Sequence, residues 1–496
     1  MRNSLWPPAG AGLMAVLVVA SACREGRSSP SPGDNPTIAS VDLSPHSDSV
    51  EVHRSRPLKV VLRDPQGLVV APCYPTDVGR VTRVKVSSSD SGLAGVLPIG
   101  CMAEDTYRAM VIGRSIGIVT ITAVATEKKD SSTINVNQAP SRFTSASPSG
   151  TRSKSPSGTR TCGLYSNGLA YCWGAEIGYA PMRISDLPFQ VITGGCGIVQ
   201  GGLAYCWGEN LAGEVGVGDF EYREAPVPVL GGRKYLGIWR SSGVTCALDL
   251  AGQAFCWGDN SVGALGNPVA GPCPANEVLR ACSTEPVAVS GGLSFTALTV
   301  SNDHVCGIVP SGGAYCWGDN SYGQLGSPAP HSTNTPTKVS GGLSFLSIAA
   351  AYNYTCGVSV DHLAYCWGWN LLGTLGTGDG DDRIVPTPVA GGRQFGRAWA
   401  GGLTACALTA DGLAYCWGSN LCGELGIGTS GDGNYSNVPV AVSGNLTFTS
   451  LARGGSNTCG VAKAGGVYCW GGNYNGSSGT GTDSIVPLPT RVIGQP

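Results

Sequence analysis

The chain has 496 residues, a formal net charge of −2, only 13% charged residues and 75 glycines. No basic face or stripe emerges, which removes the electrostatic footprint that nucleic-acid binders need. The 20 cysteines are too many for a reducing compartment if they pair regularly, and so direct attention to their spacing.

The N-terminus reads MRNSLWPPAGAGLMAVLVVASAC. One Arg precedes an apolar stretch and then small residues before Cys23. This resembles a bacterial lipoprotein signal peptide over 1–22, with Ala20-Ser21-Ala22-Cys23 as the lipobox and Cys23 as the lipidated residue. An ordinary secretory signal cleaved nearby is the alternative, and both export the chain. A thioether-linked diacylglycerol plus an N-acyl group would anchor it stably. Residues 23–36, rich in Ser, Pro and Gly, read as a flexible tether. No later stretch reaches the length of apolar residues that a transmembrane helix needs.

Residues 37–137 alternate apolar and polar in short runs, such as Leu58-Lys59-Val60-Val61-Leu62. Several short strands in this length predict a β-sandwich. Leu43-Ser44-Pro45, Val86-Ser87-Ser88-Ser89-Asp90 and Gly117-Ile118-Val119-Thr120-Ile121-Thr122-Ala123 resemble the bacterial Ig-like domain of surface adhesins. Cys73 and Cys101 are a candidate pair within it. Residues 138–158 read as a second, low-complexity linker.

From 159 to 496 one unit recurs at about 50 residues, the mark of a repeat array. Cys-Trp-Gly appears in each copy, with another Cys ten residues upstream. The pairs are Cys162 with Cys172, Cys196 with Cys206, Cys246 with Cys256, Cys306 with Cys316, Cys356 with Cys366, Cys406 with Cys416, and Cys459 with Cys469. Between them lie two short apolar runs around a Gly-bearing turn, a β-hairpin signal. Both cysteines are equidistant from the turn, so they face each other across an antiparallel pair at disulfide distance. Ten-residue spacing, in place of the short Cys-x-x-Cys spacing of zinc sites, disfavours zinc.

An aromatic-led segment precedes each hairpin (Tyr235, Phe295, Phe345, Phe395, Phe448) and Pro-x-x-Val follows it, as in Pro336–Val339. These read as two more strands. Four strands per unit, repeated radially, predict an all-β chain: a seven-bladed β-propeller behind the Ig-like β-sandwich. The first unit lacks the Asn-x-x-Gly-x-Leu-Gly stretch, so its blade is either trimmed or borrows a strand. The third carries an insertion whose Cys273 and Cys282 form a candidate private staple. Cys422 is left over, as a free thiol, an intermolecular link or an inert half-buried thiol.

Trp317-Gly-Asp-Asn-Ser-Tyr-Gly-Gln-Leu-Gly326 resembles the repeat of the regulator of chromosome condensation family, and the disulfide-paired form is similar to secreted bacterial members. The resemblance implies a protein-interaction scaffold, not a particular activity.

Motifs for chemistry fail on context. Gly113-Arg114-Ser115-Ile116-Gly117 lacks the helix that a hydrolase nucleophile needs. Gly426–Gly431 lacks the helix of a dinucleotide site. Gly378-Asp379-Gly380-Asp381-Asp382 lacks the distal Glu of a calcium loop. No catalytic constellation, metal or cofactor is expected.

Positions that change chemistry between blades are the binding candidates. Trp369 breaks a polar series after Cys-Trp-Gly; Tyr352 and Tyr354 fall in the same blade. His304, Trp239 and Trp399 complete the candidates. The expected function is a membrane-anchored extracytoplasmic binding protein, not an enzyme, that recognises a protein or glycan through the propeller. The alternative is a structural or adhesive surface protein without one ligand. Export removes the small-GTPase partner that guanine nucleotide exchange requires.

Overall fold

The computed structural model describes residues 161–174, 181–268, 271, 281–328 and 330–493 in full, and the backbone of further strands between 40 and 160, over 178–180, 272–275 and 278–280. Upstream of the repeats, backbone strands form two sheets. One has the order Ser40–Ser44, Ser55–Arg63, Thr106–Gly113, Ala94–Ala103; the other Ser47–Glu51, Lys128–Asn137, Gly117–Ala125, Lys85–Ser88. The lipobox, Cys23 and a Cys73–Cys101 pairing lie outside the described residues.

Seven antiparallel sheets then follow one another. Their first strands are Phe143–Pro148, Phe189–Thr193, Tyr235–Arg240, Ala297–Val300, Phe345–Ala350, Arg397–Gly401 and Phe448–Arg453. Each touches the first strands of both neighbours, and that of blade 7 touches that of blade 1, so these strands line the axis of a closed seven-bladed ring. Each blade uses one contiguous stretch of chain. Blade 1 is therefore trimmed and borrows nothing: only residues 175–177 join its third strand to its fourth, Gly178–Arg183. Its first strand, Phe143–Pro148, falls in the stretch expected to be the second linker. Phe143 stands where the other blades carry their leading aromatic, but a Ser/Pro/Gly-rich setting conceals the strand. In blade 3 the insertion adds Gly271–Ala275 as a fifth strand outside Val278–Ala288. Cys282 there is disulfide-bonded, while the side chain of its expected partner Cys273 lies outside the described residues.

All seven expected hairpin disulfides form. Cys162 is bonded to Cys172, Cys196 to Cys206, Cys246 to Cys256 and Cys306 to Cys316. Cys356 is bonded to Cys366, Cys406 to Cys416 and Cys459 to Cys469. Each pair is opposite in the strand register, with Cα–Cα distances of 4.0–4.1 Å. All fourteen cysteines are buried between blades, so they staple the fold and offer nothing to a ligand.

In blades 2 to 7 the leading aromatic packs on that blade's Cys-Trp-Gly tryptophan. The ring centroids are 5.7–5.8 Å apart for Phe189–Trp207, Phe295–Trp317, Phe345–Trp367 and Phe448–Trp470. They are 6.3–6.4 Å apart for Phe395–Trp417 and Tyr235–Trp257. The difference follows the residue after the first Cys. It is Gly in the close group, where an added Cβ would meet the Phe ring at 2.4–2.7 Å, and Ala407 or Ala247 in the wide group. One methyl displaces the ring.

The same tryptophan clasps the preceding blade. Trp257, Trp317, Trp367, Trp417 and Trp470 each donate an indole N–H to a carbonyl of the previous Asn-x-x-Gly loop: Glu214, Ala264, Gln324, Thr374 and Glu424, at 2.9–3.1 Å. The loop's Asn side chain holds the turn by accepting the N–H five residues on, as Asn370 does from Leu375 at 2.9 Å. Its last glycine lies flat against the indole. At Gly376, with φ +67°, a Cβ would stand 2.7 Å from Trp417. Blade 7 closes on blade 1 in the same way: Gly479 lies on Trp173, and Thr161 Oγ1 donates to the Ser477 carbonyl at 2.8 Å.

Candidate functional site

Antiparallel order puts two kinds of loop on one face of the ring, here the upper face: those joining first to second strands, near the axis, and those joining third to fourth strands, outside them. The turns between second and third strands, and the connections between blades, form the lower face.

At the upper end of the axis, inner loops of blades 3 to 7 surround an open depression lined among others by Arg240, Asn302, Tyr352, Gly402 and Arg453. Both arginines are committed to the fold. Arg240 Nη1 donates to the carbonyls of Gly195 and Trp207 at 3.1 and 2.7 Å, and Nη2 to that of Glu209 at 2.5 Å. Its guanidinium is 3.9 Å from the Glu214 carboxylate, with the side chains 6% and 2% exposed. Burial nevertheless raises the Glu214 pKa, because desolvation outweighs the neighbouring cation. Arg453 donates to the Gly401 carbonyl at 3.1 Å and to Thr458 Oγ1. Burial pushes Glu424 up to about 7, against the lowering effect of backbone N–H bonds and of Arg453.

The repeats explain these pairs. Where the loop position holds Glu, the next blade's first strand ends in Arg: Glu214 with Arg240, Glu424 with Arg453. Where it is neutral, the matching position at the upper end of the strand is aliphatic: Ala264 with Val300, Gln324 with Ala350, Thr374 with Ala400. A buried carboxylate needs a cation nearby, so the two positions change together.

Aromatic side chains mark one sector of the upper face. Trp369 opens the outer loop of blade 5 and is tied to the inner loop, its N–H donating to the Asn353 carbonyl at 2.8 Å. Its ring is half-buried and lies 5.5 Å from that of Tyr322, in the outer loop of blade 4, at a tilt of 41°. Tyr352, also half-buried, lines the central depression. The structure thus brings Trp369 and Tyr352 to one face and adds Tyr322, which the sequence reading missed. The third position of Asn-x-x-Gly holds Ala212, Val262, Tyr322, Leu372, Cys422 and Asn475, so the same comparison between repeats could have found the single aromatic.

Two candidates are corrected. His304 and Tyr354 are fully buried and unavailable to a ligand. They stand two residues before a hairpin Cys, and strand periodicity puts them on the side of that Cys, facing the next blade. Tyr354 donates its hydroxyl to the Thr404 carbonyl at 2.8 Å, bridging blades 5 and 6. His304 bridges blades 4 and 5: Nδ1 is 2.8 Å from Ser301 Oγ and Nε2 2.8 Å from Thr355 Oγ1. Trp239 and Trp399 stand opposite Cys246 and Cys406 in the strand register and pack, half-buried, against the inter-blade cores.

Burial lowers the His304 pKa from 6.5 to about 3. The folded chain therefore binds fewer protons than the unfolded chain between these values. Stability is fully present above pH 6.5 and lost as pH falls toward 3. At 1.36 kcal/mol per unit, about 2 kcal/mol is expected to be gone by pH 5. Denaturant melts of His304→Gln against the parent should show a flatter pH dependence over this window; parallel curves would refute the assignment.

The Asp-rich loop of blade 5 spends its charges internally. Asp379 accepts from Thr377 Oγ1 at 2.9 Å and pairs with Arg383 at 2.6 Å. These contacts, the Thr377 hydrogen bond first, lower its pKa. Among the described residues no group of three or more His, Cys, Asp or Glu is placed to hold a metal ion. Cys422 is 1% exposed and disulfide-bonded, to a partner outside the described residues, so the readings as a free or inert thiol are set aside.

This geometry defines a disulfide-stapled, seven-bladed β-propeller with a loop-built upper face. The repeats themselves are of a known type: residues 311–358 match the regulator of chromosome condensation (RCC1) repeat, and residues 295–324 and 400–424 match a second description of that repeat. Among solved structures, human WBSCR16 is similar at 21% identity and TM-score 0.56, over 64% of this chain and 85% of that one. Yeast RCC1 (Prp20), solved with Kap60 bound, is similar at 20% identity and TM-score 0.56, over 66% and 84%. Prp20p from Saccharomyces cerevisiae, described with its binding to Gsp1p and histones, is similar at 19% identity and TM-score 0.51, over 71% and 76%. At these identities the likeness is one of fold. No curated protein sequence matches the chain significantly. Seven hairpin disulfides fit maturation in an oxidising compartment, and among the described residues no helix is long and apolar enough to cross a membrane.

Proposed function

We propose that this chain is a membrane-anchored, extracytoplasmic binding protein whose propeller recognises a partner with its upper face. Binding is without turnover, and an Ig-like sandwich holds the ring away from the anchor. The observation that carries this reading is the aromatic sector of the upper face: Tyr322 and Trp369 paired in the outer loops of blades 4 and 5, and Tyr352 lining the central depression. Half-exposed aromatics on rigid loops are the residues that dominate binding energy at interfaces. A protein is favoured over a glycan because yeast RCC1, of the same fold, was solved with a protein bound. The arginines at the depression are consumed by carbonyls and buried carboxylates, which argues against a small-anion site there.

The test is capture of partners by the exported full chain, compared with Trp369→Ala/Tyr352→Ala. Loss of a saturable partner, by about tenfold or more in affinity, is expected for truncating two hot-spot aromatics. Undiminished capture by the variant, or broad non-saturable adhesion of both proteins, would turn the reading toward an adhesive surface protein without one ligand.

A further inference from the structure

The two faces of the ring differ in charge. The upper loops hold most of the described carboxylates, among them Asp259, Asp303, Asp319, Asp381, Asp382 and Asp483. The lower face instead carries exposed Arg233, Lys234, Arg393, Arg397 and Lys463. Two of its guanidinium groups rest on aromatic rings, Arg233 at 3.9 Å from the Phe255 centroid and Arg393 at 4.1 Å from that of Tyr415. Its carboxylates are Asp186, Asp249, Asp361 and Asp411. Asp186 is taken by Arg183, and Asp249 lies 3.7 Å from Arg233.

Large apolar side chains stand open on the same face: Leu250 is 64% exposed, Leu236 62%, Val360 52% and Leu346 50%. Leu250 and Val360 are at turn tips, and Leu236 and Leu346 are near the lower ends of first strands. Cations interleaved with protruding aliphatic tips suit a lipid interface. The tips enter the acyl boundary while Lys and Arg stay with the phosphates. The chain also joins the ring here, because Phe143 pairs with Tyr165 at the lower end of blade 1. Everything N-terminal to the propeller attaches on this side.

We propose that the lower face docks on an anionic lipid surface and so presents the upper face outward. This is independent of the partner reading: lipid docking can fail while upper-face binding stands, and the reverse.

The experiment uses the full chain carrying Cys23→Ser, so that no acyl chain confuses the result. Co-sedimentation is measured with vesicles of phosphatidylcholine alone and of phosphatidylcholine mixed with phosphatidylglycerol. Binding is expected only to the anionic vesicles, and it should fall as salt rises. Lys234→Glu/Lys463→Glu should lower it at least about tenfold, since each basic residue at such a surface contributes about fivefold. Leu250→Ser/Val360→Ser should weaken it too, whereas Asp381→Asn/Asp382→Asn on the upper face should leave it unchanged. These side chains are exposed, and near-ultraviolet circular dichroism checks that each variant keeps the fold. No binding to anionic vesicles, equal binding to neutral ones, or indifference to the lower-face charge reversal would overturn the proposal. So would capture of a soluble anionic glycan without any vesicle binding.

Discussion

A chain denatured with its seven hairpin disulfides reduced is expected not to regain the native near-ultraviolet signal while reductant is present, whereas the oxidised chain should refold. Each bridge closes a loop of about 11 residues, worth about 2.5–3 kcal/mol in the chain-entropy model. Seven together are then on the order of 20 kcal/mol in that limit, more than the roughly 5–15 kcal/mol net stability of an ordinary domain. The strands are short, and the inter-blade cores are small, from seven buried side chains in the cluster around Trp207 to thirteen in that around Trp417. Little else offsets the loss. One pair alone gives a graded check: replacing both Cys356 and Cys366 by Ser should cost about 3 kcal/mol in a denaturant melt. A reduced chain that refolds with unchanged signal would show that the cores suffice and would remove the argument for an oxidising compartment.

The second large effect is expected at the clasp. Trp317 is fully buried, packs on Phe295 and donates to the Ala264 carbonyl of the preceding blade. Trp317→Ala should cost about 3–5 kcal/mol through the lost volume and the cavity left behind. Trp317→Phe keeps much of the volume but leaves that carbonyl without its donor, and should cost about 1–3 kcal/mol. The control is Trp369→Ala on the upper face, where the half-buried ring has one aromatic neighbour and a smaller change, about 0.5–1.5 kcal/mol, is expected. Urea melts under oxidising conditions decide this. Equal costs at Trp317 and Trp369 would mean that the recurring tryptophan is not the joint between blades.

Much of this was legible before the structure. Hairpin pairing follows from two cysteines placed symmetrically about a turn, since an antiparallel pair brings such residues opposite each other wherever the hairpin lies. The aromatic-led first strand could be read wherever its surroundings were apolar, and failed at Phe143, where Ser, Pro and Gly make a strand look like a linker. The candidate site was less legible. A position two before a hairpin Cys varies as His304, Tyr354 and Thr404, and variation there resembles recognition. It is inter-blade packing instead, because each joint between blades is filled by its own combination of side chains, and variation alone does not separate a buried joint from an open rim.

Local pattern by itself determined the unit, its count and its covalent staple, because hairpin register, turn glycines and cysteine spacing all act within about 25 residues along the chain. Contacts between units were decided only in three dimensions. Trp173 meets Gly479 where the last blade closes on the first, Glu424 lies near Arg453 of the next blade, and Trp369 pairs with Tyr322 from the one before. Each of these depends on the angle between neighbouring sheets, which the packing of many side chains sets together and no single repeat encodes.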